Sequence, residues 1–254
     1  ALTAKDIIMQ HTLYPYYTRF FSNNRKKSAY MLALNGNRHA GQHIGIYQSS
    51  SMDARRMRYC PQCFDEDIAT YGEPYWHRLH QIPGIAVCPR HGCWLADTEI
   101  TLTGHRHNLL FPALPDCHLL PTPDTMPTDA QKSFVALMQD TLTAPYDFCD
   151  GGGYRAIIKR ALRNRCYASV TGGRIYATRI AEAVNAFYGE NFESVDSKEV
   201  YGIASNNRTV SVRKILQLAC FLNLSLPDLL APPPEDNTLA EIREMYQQGI
   251  SMYH

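Results

Sequence analysis

Two short runs of the chain combine cysteine, histidine and proline at a spacing that suits metal binding. YCPQC covers residues 59–63 and VCPRHGC covers residues 87–93. Each run contains a Cys-Pro-x-Cys or Cys-Pro-x-His turn, and a tight turn of this kind delivers two ligands to a tetrahedral ion. Two such turns complete the coordination of one zinc ion. We therefore predict a single structural Zn²⁺ site formed by Cys60, Cys63, Cys88 and His91.

Cys93 is the competing fourth ligand, because Cys88 and Cys93 can also ligate from a longer loop. The spacing between Cys88 and His91 repeats that of the first turn and favours His91, but the alternative stays open. Four protein ligands leave no position for water or substrate, so the role is structural rather than catalytic. Structural zinc contributes about 10–16 kcal/mol, and we expect this region to unfold without metal.

Other histidines and cysteines form weaker patterns. His77 and His80 lie three residues apart and are interpreted as packing or surface residues rather than a metal pair. A second site built from His105, His107 and Cys117 fits no compact ligand turn. The aromatic residues at 71–76 are interpreted as a core over the zinc rather than as a platform for stacked bases.

The composition indicates an ordinary globular protein. The chain has 254 residues, 45% hydrophobic and 19% charged, which excludes wholesale disorder and allows two small domains. Its apolar runs are too short to span a bilayer, and eight cysteines are too few for a disulfide scaffold. The clustering of four cysteines favours metal in a reducing cytosol, so we expect a cytoplasmic protein with no membrane partner. The chain begins with Ala1 rather than Met, and we expect it to be a fragment.

Basic residues are unevenly distributed although the net charge is only +1. Residues 151–181 hold seven Lys or Arg and no acidic residue, and a second basic cluster precedes the first cysteine turn. Such clusters favour contact with phosphate, although a solvated basic face is the alternative. The candidate nucleic-acid contacts are Arg55, Arg56, Arg58, Arg155, Lys159, Arg160 and Arg163.

The elements that position these residues are predicted to be mostly helical. We expect a mainly α fold with a small zinc-ribbon or zinc-finger β element and a helix-turn-helix-like C-terminal region. The predicted order is an incomplete N-terminal helical segment, a zinc-finger subdomain, a Pro-rich linker, a helix-turn-helix-like domain, and a final linker and helix. Their predicted bounds are 1–50, 51–111, 112–128, 129–231 and 232–254.

The run from Tyr59 to Leu95, YCPQCFDEDIATYGEPYWHRLHQIPGIAVCPRHGCWL, resembles the zinc-binding signature of the TniQ/TnsD family. Upstream, QHTLYPYYTRF at 10–20 is similar to the TnsD branch. NRTVSVRKILQLACFLN at 207–223 resembles the family's later helical region more loosely.

The resemblance implies a non-enzymatic target-site selector for DNA transposition in the bacterial cytoplasm, associated with the nucleoid when bound to DNA. Such a protein binds double-stranded target DNA and recruits an AAA+ ATPase regulator, TnsC-like, which brings in the transposase. The chain has no Walker loop and no carboxylate cluster suited to two-metal chemistry. The alternatives are an adaptor docked on an RNA-guided CRISPR effector complex, a zinc-stabilised transcription regulator, and a zinc-dependent nuclease or deaminase.

Overall fold

The computed structural model describes most of the chain as helices joined by short turns. Within the described residues the fold is mainly α with one two-stranded sheet, as predicted. They group into two compact units: a first unit of residues 1–19 and 24–147, and a second unit of residues 20–23 and 148–254. The described residues are 2–37, 39–45, 56–101, 120, 122, 124–151, 153–169, 174–189, 192–204 and 210–233.

The first unit holds most of the N-terminal helices, the sheet and one long helix. Its small sheet pairs β1 with β2 in antiparallel fashion, with an irregular register between Arg56 and Arg58. The elements are α1 (Ala4–His11), α2 (Tyr14–Thr18), α3 (Asn23–Leu34), α4 (Ala40–His43), β1 (Arg56–Tyr59), α5 (Pro61–Tyr71), a 3₁₀ turn (Arg78–Gln81), β2 (Ala96–Thr101) and α6 (Asp129–Thr143).

Helix α6 forms the core of the first unit together with α2. Thr128 begins α6 as an N-cap, and its side chain and that of Gln131 bond each other's backbone N–H in a capping box. The buried side chains Phe134 and Met138 lie on one face of the helix at i, i+4 spacing. The predicted domain bounds placed this helix with residues 129–231. In the structure α6 packs against α2.

Arg19 closes the C-terminal end of α6. Its side chain is buried and donates to the carbonyls of Thr141, Ala144 and Pro145, each at 2.9 Å. The last carbonyls of a helix have no partner within it, so a buried helix end needs donors from elsewhere. The five-donor guanidinium satisfies the Thr141 carbonyl in the last turn and the carbonyls of Ala144 and Pro145 just after it, and so fixes the segment after α2 against the end of α6.

The second unit is a set of helices around an apolar core. Helix α7 buries Tyr154, Ile158 and Leu162 at i, i+4 spacing, as the sequence predicts. The core continues through α8 with Ile180 and Val184, both fully buried. The elements are α7 (Tyr154–Asn164), α8 (Ala177–Tyr188), α9 (Ser197–Ala204), α10 (Val212–Phe221) and α11 (Leu226–Leu230).

The helix-turn-helix character predicted near 196–222 stays a prediction. Helices α9 and α10 pack against each other and against α8. The link between α9 and α10 includes residues 205–209, which lie outside the described residues.

Nowhere in the described part of the chain is there a helix with the length and apolar character needed to cross a membrane.

Candidate metal centre

The first pair of cysteines sits where β1 passes into α5. Cys60 is the N-cap of α5, and its Sγ accepts a hydrogen bond from the backbone N–H of Cys63 at 3.5 Å. Pro61 occupies the first helical position, where its fixed φ suits the helix and its missing N–H costs nothing. The Cys-Pro-x-Cys spacing therefore builds a helix start that turns both thiols to the same side.

The second pair lies in a tight hairpin turn. The Cys88 N–H donates to the Cys93 carbonyl at 2.8 Å, and the Gly92 N–H donates to the Cys88 carbonyl at 2.7 Å. Gly92 has φ of +63°, a left-handed conformation that glycine adopts without steric cost. This turn brings His91 back over Cys88, so the two residues face the same point.

The four predicted ligand atoms converge at distances that suit one tetrahedral ion. With Zn–S of about 2.3 Å and Zn–N of about 2.0 Å, a tetrahedron separates two sulfurs by about 3.8 Å and sulfur from nitrogen by about 3.5 Å. Cys63 Sγ lies 3.8 Å from Cys88 Sγ. His91 Nδ1 lies 3.4 Å from the Sγ atoms of Cys60 and Cys63 and 3.7 Å from that of Cys88. The cluster can hold a metal ion.

Burial closes the cluster to solvent. The three thiols of Cys60, Cys63 and Cys88 are at most 2% exposed, and the His91 side chain is 11% exposed. A centre with four protein donors and little solvent access holds chain segments together rather than binding a substrate. Here the segments are the start of α5 and the hairpin turn.

Without an ion, the surroundings keep the thiols protonated. Burial, followed by the neighbouring Cys88, raises the pKa of the Cys63 thiol to about 12. The Cys60 thiol and burial together raise the pKa of Cys88 above its ordinary value. For His91, burial disfavours the charged ring, but the hydrogen bonds and charges of Glu66 and Cys88 together outweigh it and the pKa is raised. Metal binding must therefore displace protons from these groups.

We expect the affinity for metal to fall steeply on acidification. Because the raised pKa values favour the protonated ligands, lowering the pH stabilises the metal-free form against the metal-bound one. The three thiol protons alone make the affinity fall by about a thousandfold per pH unit, and the fall is steeper where His91 is protonated as well. Competition with a chromophoric chelator at pH 8, 7 and 6 measures this. An affinity that does not change across this range would contradict the predicted ligand set.

Cys93 also lies close to the centre. Its Sγ is 3.4 Å from the Sγ of Cys60, and its side chain is only partly buried. The set of donor atoms that all lie within 4.8 Å of one another nevertheless contains His91 and not Cys93. The geometry therefore favours His91, the preferred residue of the sequence analysis.

The remaining metal candidates separate into two groups. His77 Nε2 lies 2.7 Å from the buried Asp67 carboxylate, so this histidine has a carboxylate partner. His80 is buried, and burial together with the nearby His77 lowers its pKa to about 3. Both act as packing residues in the described structure. The other candidates, His105, His107 and Cys117, lie outside the described residues.

The aromatic residues after α5 do not form one core. Trp76 packs with Phe64 against the buried pair Tyr59 and Ala96, as expected of a small core. Tyr71 and Tyr75 are exposed instead, at 67% and 47%. The expectation of a common aromatic core therefore holds for Trp76 and is wrong for these two tyrosines, because α5 ends at Tyr71 and its last turn faces solvent.

The basic candidates of the first unit are engaged within the fold. Arg58 pairs with Asp97 across the two strands at 2.9 Å and also donates to the carbonyl of Ile85. Arg56 donates to the carbonyl of Thr98 at 3.2 Å. These contacts tie β1 to its neighbours and occupy the guanidinium groups. The third candidate, Arg55, lies outside the described residues.

The basic residues of α7 differ in exposure and in contacts. Arg155 is half-buried and donates to the carbonyls of Gly202 and Ile203 at 2.9 and 3.1 Å, at the end of α9. Arg163 is half-buried. Lys159 and Arg160 are exposed. On α7, these two side chains are therefore the best placed to meet a phosphate backbone.

Three charged residues near these sites were not among the candidates. Glu66 lies 3.0 Å from His91 Nε2 and 2.9 Å from Arg90, beside the metal ligands. Arg165 donates to the carbonyls that end α10, at 2.9 and 2.7 Å. The i+3 spacing of Glu66 from Cys63 on α5 was an available signal, whereas the contacts of Arg165 span more than 50 residues and leave no local pattern.

Fold and cluster together define a mainly helical protein with a compact Cys₃His metal-binding finger in its first unit. A family model described as TniQ matches residues 1–95, the stretch that contains all four ligands. These residues are similar to the TniQ family, in agreement with the resemblance seen in the sequence.

One relative is the transposon Tn7 transposition protein TnsD of Escherichia coli, 31% identical over 135 residues. The match covers 52% of this chain and 25% of that protein, so the chain spans about a quarter of the relative's length.

Proposed function

We propose that this protein is a non-enzymatic target-site selector for DNA transposition. In this proposal it binds double-stranded target DNA and recruits an AAA+ ATPase regulator to that site. The observation that carries the proposal is the TniQ match over residues 1–95, joined by the likeness to a transposition protein. The metal centre supports it indirectly, because a structural rather than catalytic site suits an adaptor.

We propose zinc as the metal. Three thiolates and one imidazole in a tetrahedron are typical of structural zinc, whereas magnesium and calcium prefer oxygen ligands. The ion would join the start of α5 to the turn at 88–93 and so give the first unit a rigid face for a partner.

In the second unit, the exposed end of the α7 basic face is the proposed DNA contact. Lys159 and Arg160 are adjacent and exposed, whereas Arg155 is occupied with the end of α9. Phosphate contacts of this type carry no sequence preference by themselves. Sequence recognition would come from another element, and the helix-turn-helix-like region is the candidate.

Reversing both charges on α7 tests the DNA contact. We expect Lys159→Glu with Arg160→Glu to weaken binding to duplex DNA about tenfold or more at low salt. The slope of log affinity against log salt should shrink by about 2, because two phosphate contacts are lost. Fluorescence anisotropy over a salt series measures both quantities.

The matched control is Lys5→Glu with Lys27→Glu, which changes the net charge equally at exposed positions of the first unit. If the control variant weakens binding as much as the α7 variant does, the effect comes from net charge and the assignment is wrong. Unchanged binding in the α7 variant would also refute the assignment, provided circular dichroism shows a folded protein.

Recruitment distinguishes the target selector from a transcription regulator. The protein, its ATPase regulator and target duplex are mixed without RNA, and retention of the ATPase on immobilised DNA is measured. We expect retention only when this protein is present. Retention that requires a guide RNA complex would favour the CRISPR-docked adaptor. DNA binding with no effect on the ATPase would favour a transcription regulator.

A further inference from the structure

A fifth donor group, the thiol of Cys93, lies beside the four that converge. Cys93 Sγ lies 3.4 Å from Cys60 Sγ, closer than the 3.8 Å between the Sγ atoms of Cys63 and Cys88. A tetrahedral ion takes four donors, so one of the five must stay outside. His91 and Cys93 are separated in the chain by Gly92 alone, at the turn that carries both. Cys93 therefore lies close to the cluster; the mutual distances favour His91, and a further contact made by His91 adds to that preference.

Glu66 supplies a contact that only His91 makes. It lies on α5 one turn after Cys63, and its Oε1 is 3.0 Å from His91 Nε2. When Nε2–H donates to this carboxylate, the lone pair stays on Nδ1, the nitrogen that faces the thiols at 3.4 to 3.7 Å. A carboxylate behind a ligating histidine fixes both its tautomer and its ring orientation.

Arg90 holds this carboxylate in turn. Its Nη2 lies 2.9 Å from Glu66 Oε2, so the two oxygens of Glu66 have different partners. The pair is partly exposed, with the Glu66 side chain at 42%, and its ionic contribution to stability is small. Its effect is directional, since a carboxylate held at one oxygen presents the other to the imidazole ring.

We propose that Glu66 is a positioning residue that selects His91 over Cys93 as the fourth ligand. The proposal rests on the cluster holding a metal ion. Without Glu66, the ring loses its fixed orientation and Cys93 takes the fourth position. In that exchange the Cys93 thiol releases its proton to solvent, its thiolate binds, and His91 leaves as neutral imidazole. The ligand set changes from Cys₃His to Cys₄.

Cobalt substitution reports the ligand set directly. Loaded with Co²⁺, the natural protein should show the absorption of a three-sulfur, one-nitrogen tetrahedral site, and iodoacetamide should alkylate Cys93 without loss of metal. Glu66→Ala should shift the spectrum to that of a four-sulfur site and slow the alkylation of Cys93 at least about tenfold, since ligands are protected. Peptide mass spectrometry identifies the alkylated cysteine.

Two further variants separate positioning from other effects. Glu66→Gln keeps an amide oxygen that accepts from Nε2–H, so it should retain the natural spectrum and Cys93 reactivity. The double variant Glu66→Ala with Cys93→Ser lacks both the carboxylate that orients His91 and the thiol that could replace it. Its metal affinity should fall about 10–100-fold below that of the natural protein. Asp65→Ala removes a neighbouring exposed carboxylate of α5 and serves as the control, with no expected change.

The proposal is overturned if Glu66→Ala keeps the natural spectrum and Cys93 reactivity, or if Glu66→Gln behaves as Glu66→Ala does. A four-sulfur spectrum in the natural protein also overturns it. A natural protein that takes up no Co²⁺ or Zn²⁺ refutes the metal centre itself, and this result is distinct from all the others.

Discussion

Replacing Cys60 by serine should abolish stable metal binding and unfold the region around the finger. Cys60 is 1% exposed and is a predicted ligand as well as the N-cap of α5. Serine can still cap the helix, so the substitution removes the coordination and leaves the helix start intact. Structural zinc contributes about 10–16 kcal/mol, which is as large as the stability of a typical domain. We expect less than 0.1 metal ion per chain, about tenfold below the one expected of the natural protein. The thermal transition of the first unit should be lost or strongly lowered.

The matched control is Cys166→Ser, which changes an exposed thiol in the second unit. It should keep the metal content and melting behaviour of the natural protein. Elemental analysis and thermal unfolding monitored by circular dichroism measure both properties, with and without a chelator. A Cys60→Ser protein that melts like the natural one would show that the cluster stabilises nothing.

Replacing Arg19 by leucine should destabilise the first unit by about 2–4 kcal/mol. The substitution leaves the buried carbonyl of Thr141 without its donor, which costs about 1–3 kcal/mol, and it also removes the partly buried bonds to the carbonyls of Ala144 and Pro145. It also removes a cation from the face of Tyr146, 5.0 Å from the ring centroid. Urea unfolding of the metal-loaded protein measures the change.

Arg19→Lys should be nearly as harmful, because a compact ammonium group cannot reach three carbonyls in the way that a planar guanidinium does. Lys27→Ala is the control, since this lysine is exposed on α3 and should change stability by less than about 0.5 kcal/mol. If Arg19→Leu unfolded at the same urea concentration as the control, the bonds to the end of α6 would contribute nothing to stability.

The metal ligands were predictable because their signal is local. A Cys-Pro-x-Cys turn fixes the relative position of its two ligands within four residues. A second turn of similar form completes the site when the fold brings it next to the first. Glu66 was within reach of the same reasoning, three residues after Cys63. The sequence alone did not decide between His91 and Cys93, because the choice depends on a contact between α5 and the turn.

The contacts of the basic residues could not be predicted from local sequence patterns. Arg155 and Lys159 look alike in the sequence, one helical turn apart in the same basic segment. The carbonyls that engage Arg155 belong to Gly202 and Ile203, 47 and 48 residues away. Local sequence periodicity does not predict a contact at that separation. The structure was needed to distinguish Arg155, which bonds the end of α9, from the exposed Lys159.

The end of α6 illustrates the same limit in the fold. Apolar residues at helical spacing are typical of the helix itself, and the structure adds a capping box at Thr128. Its packing against α2 depends on Arg19, whose bond to Thr141 spans 122 residues. The Pro-rich linker at 112–128 stays a prediction, while the described contacts join α6 to α2.

X-ray absorption at the zinc edge of the purified protein tests the central claim most directly. We predict one zinc ion per chain with three sulfur neighbours at about 2.3 Å and one nitrogen neighbour at about 2.0 Å. A folded protein without metal, or an ion surrounded mainly by oxygen, would contradict the Cys₃His centre and the role that it is given in holding the first unit together.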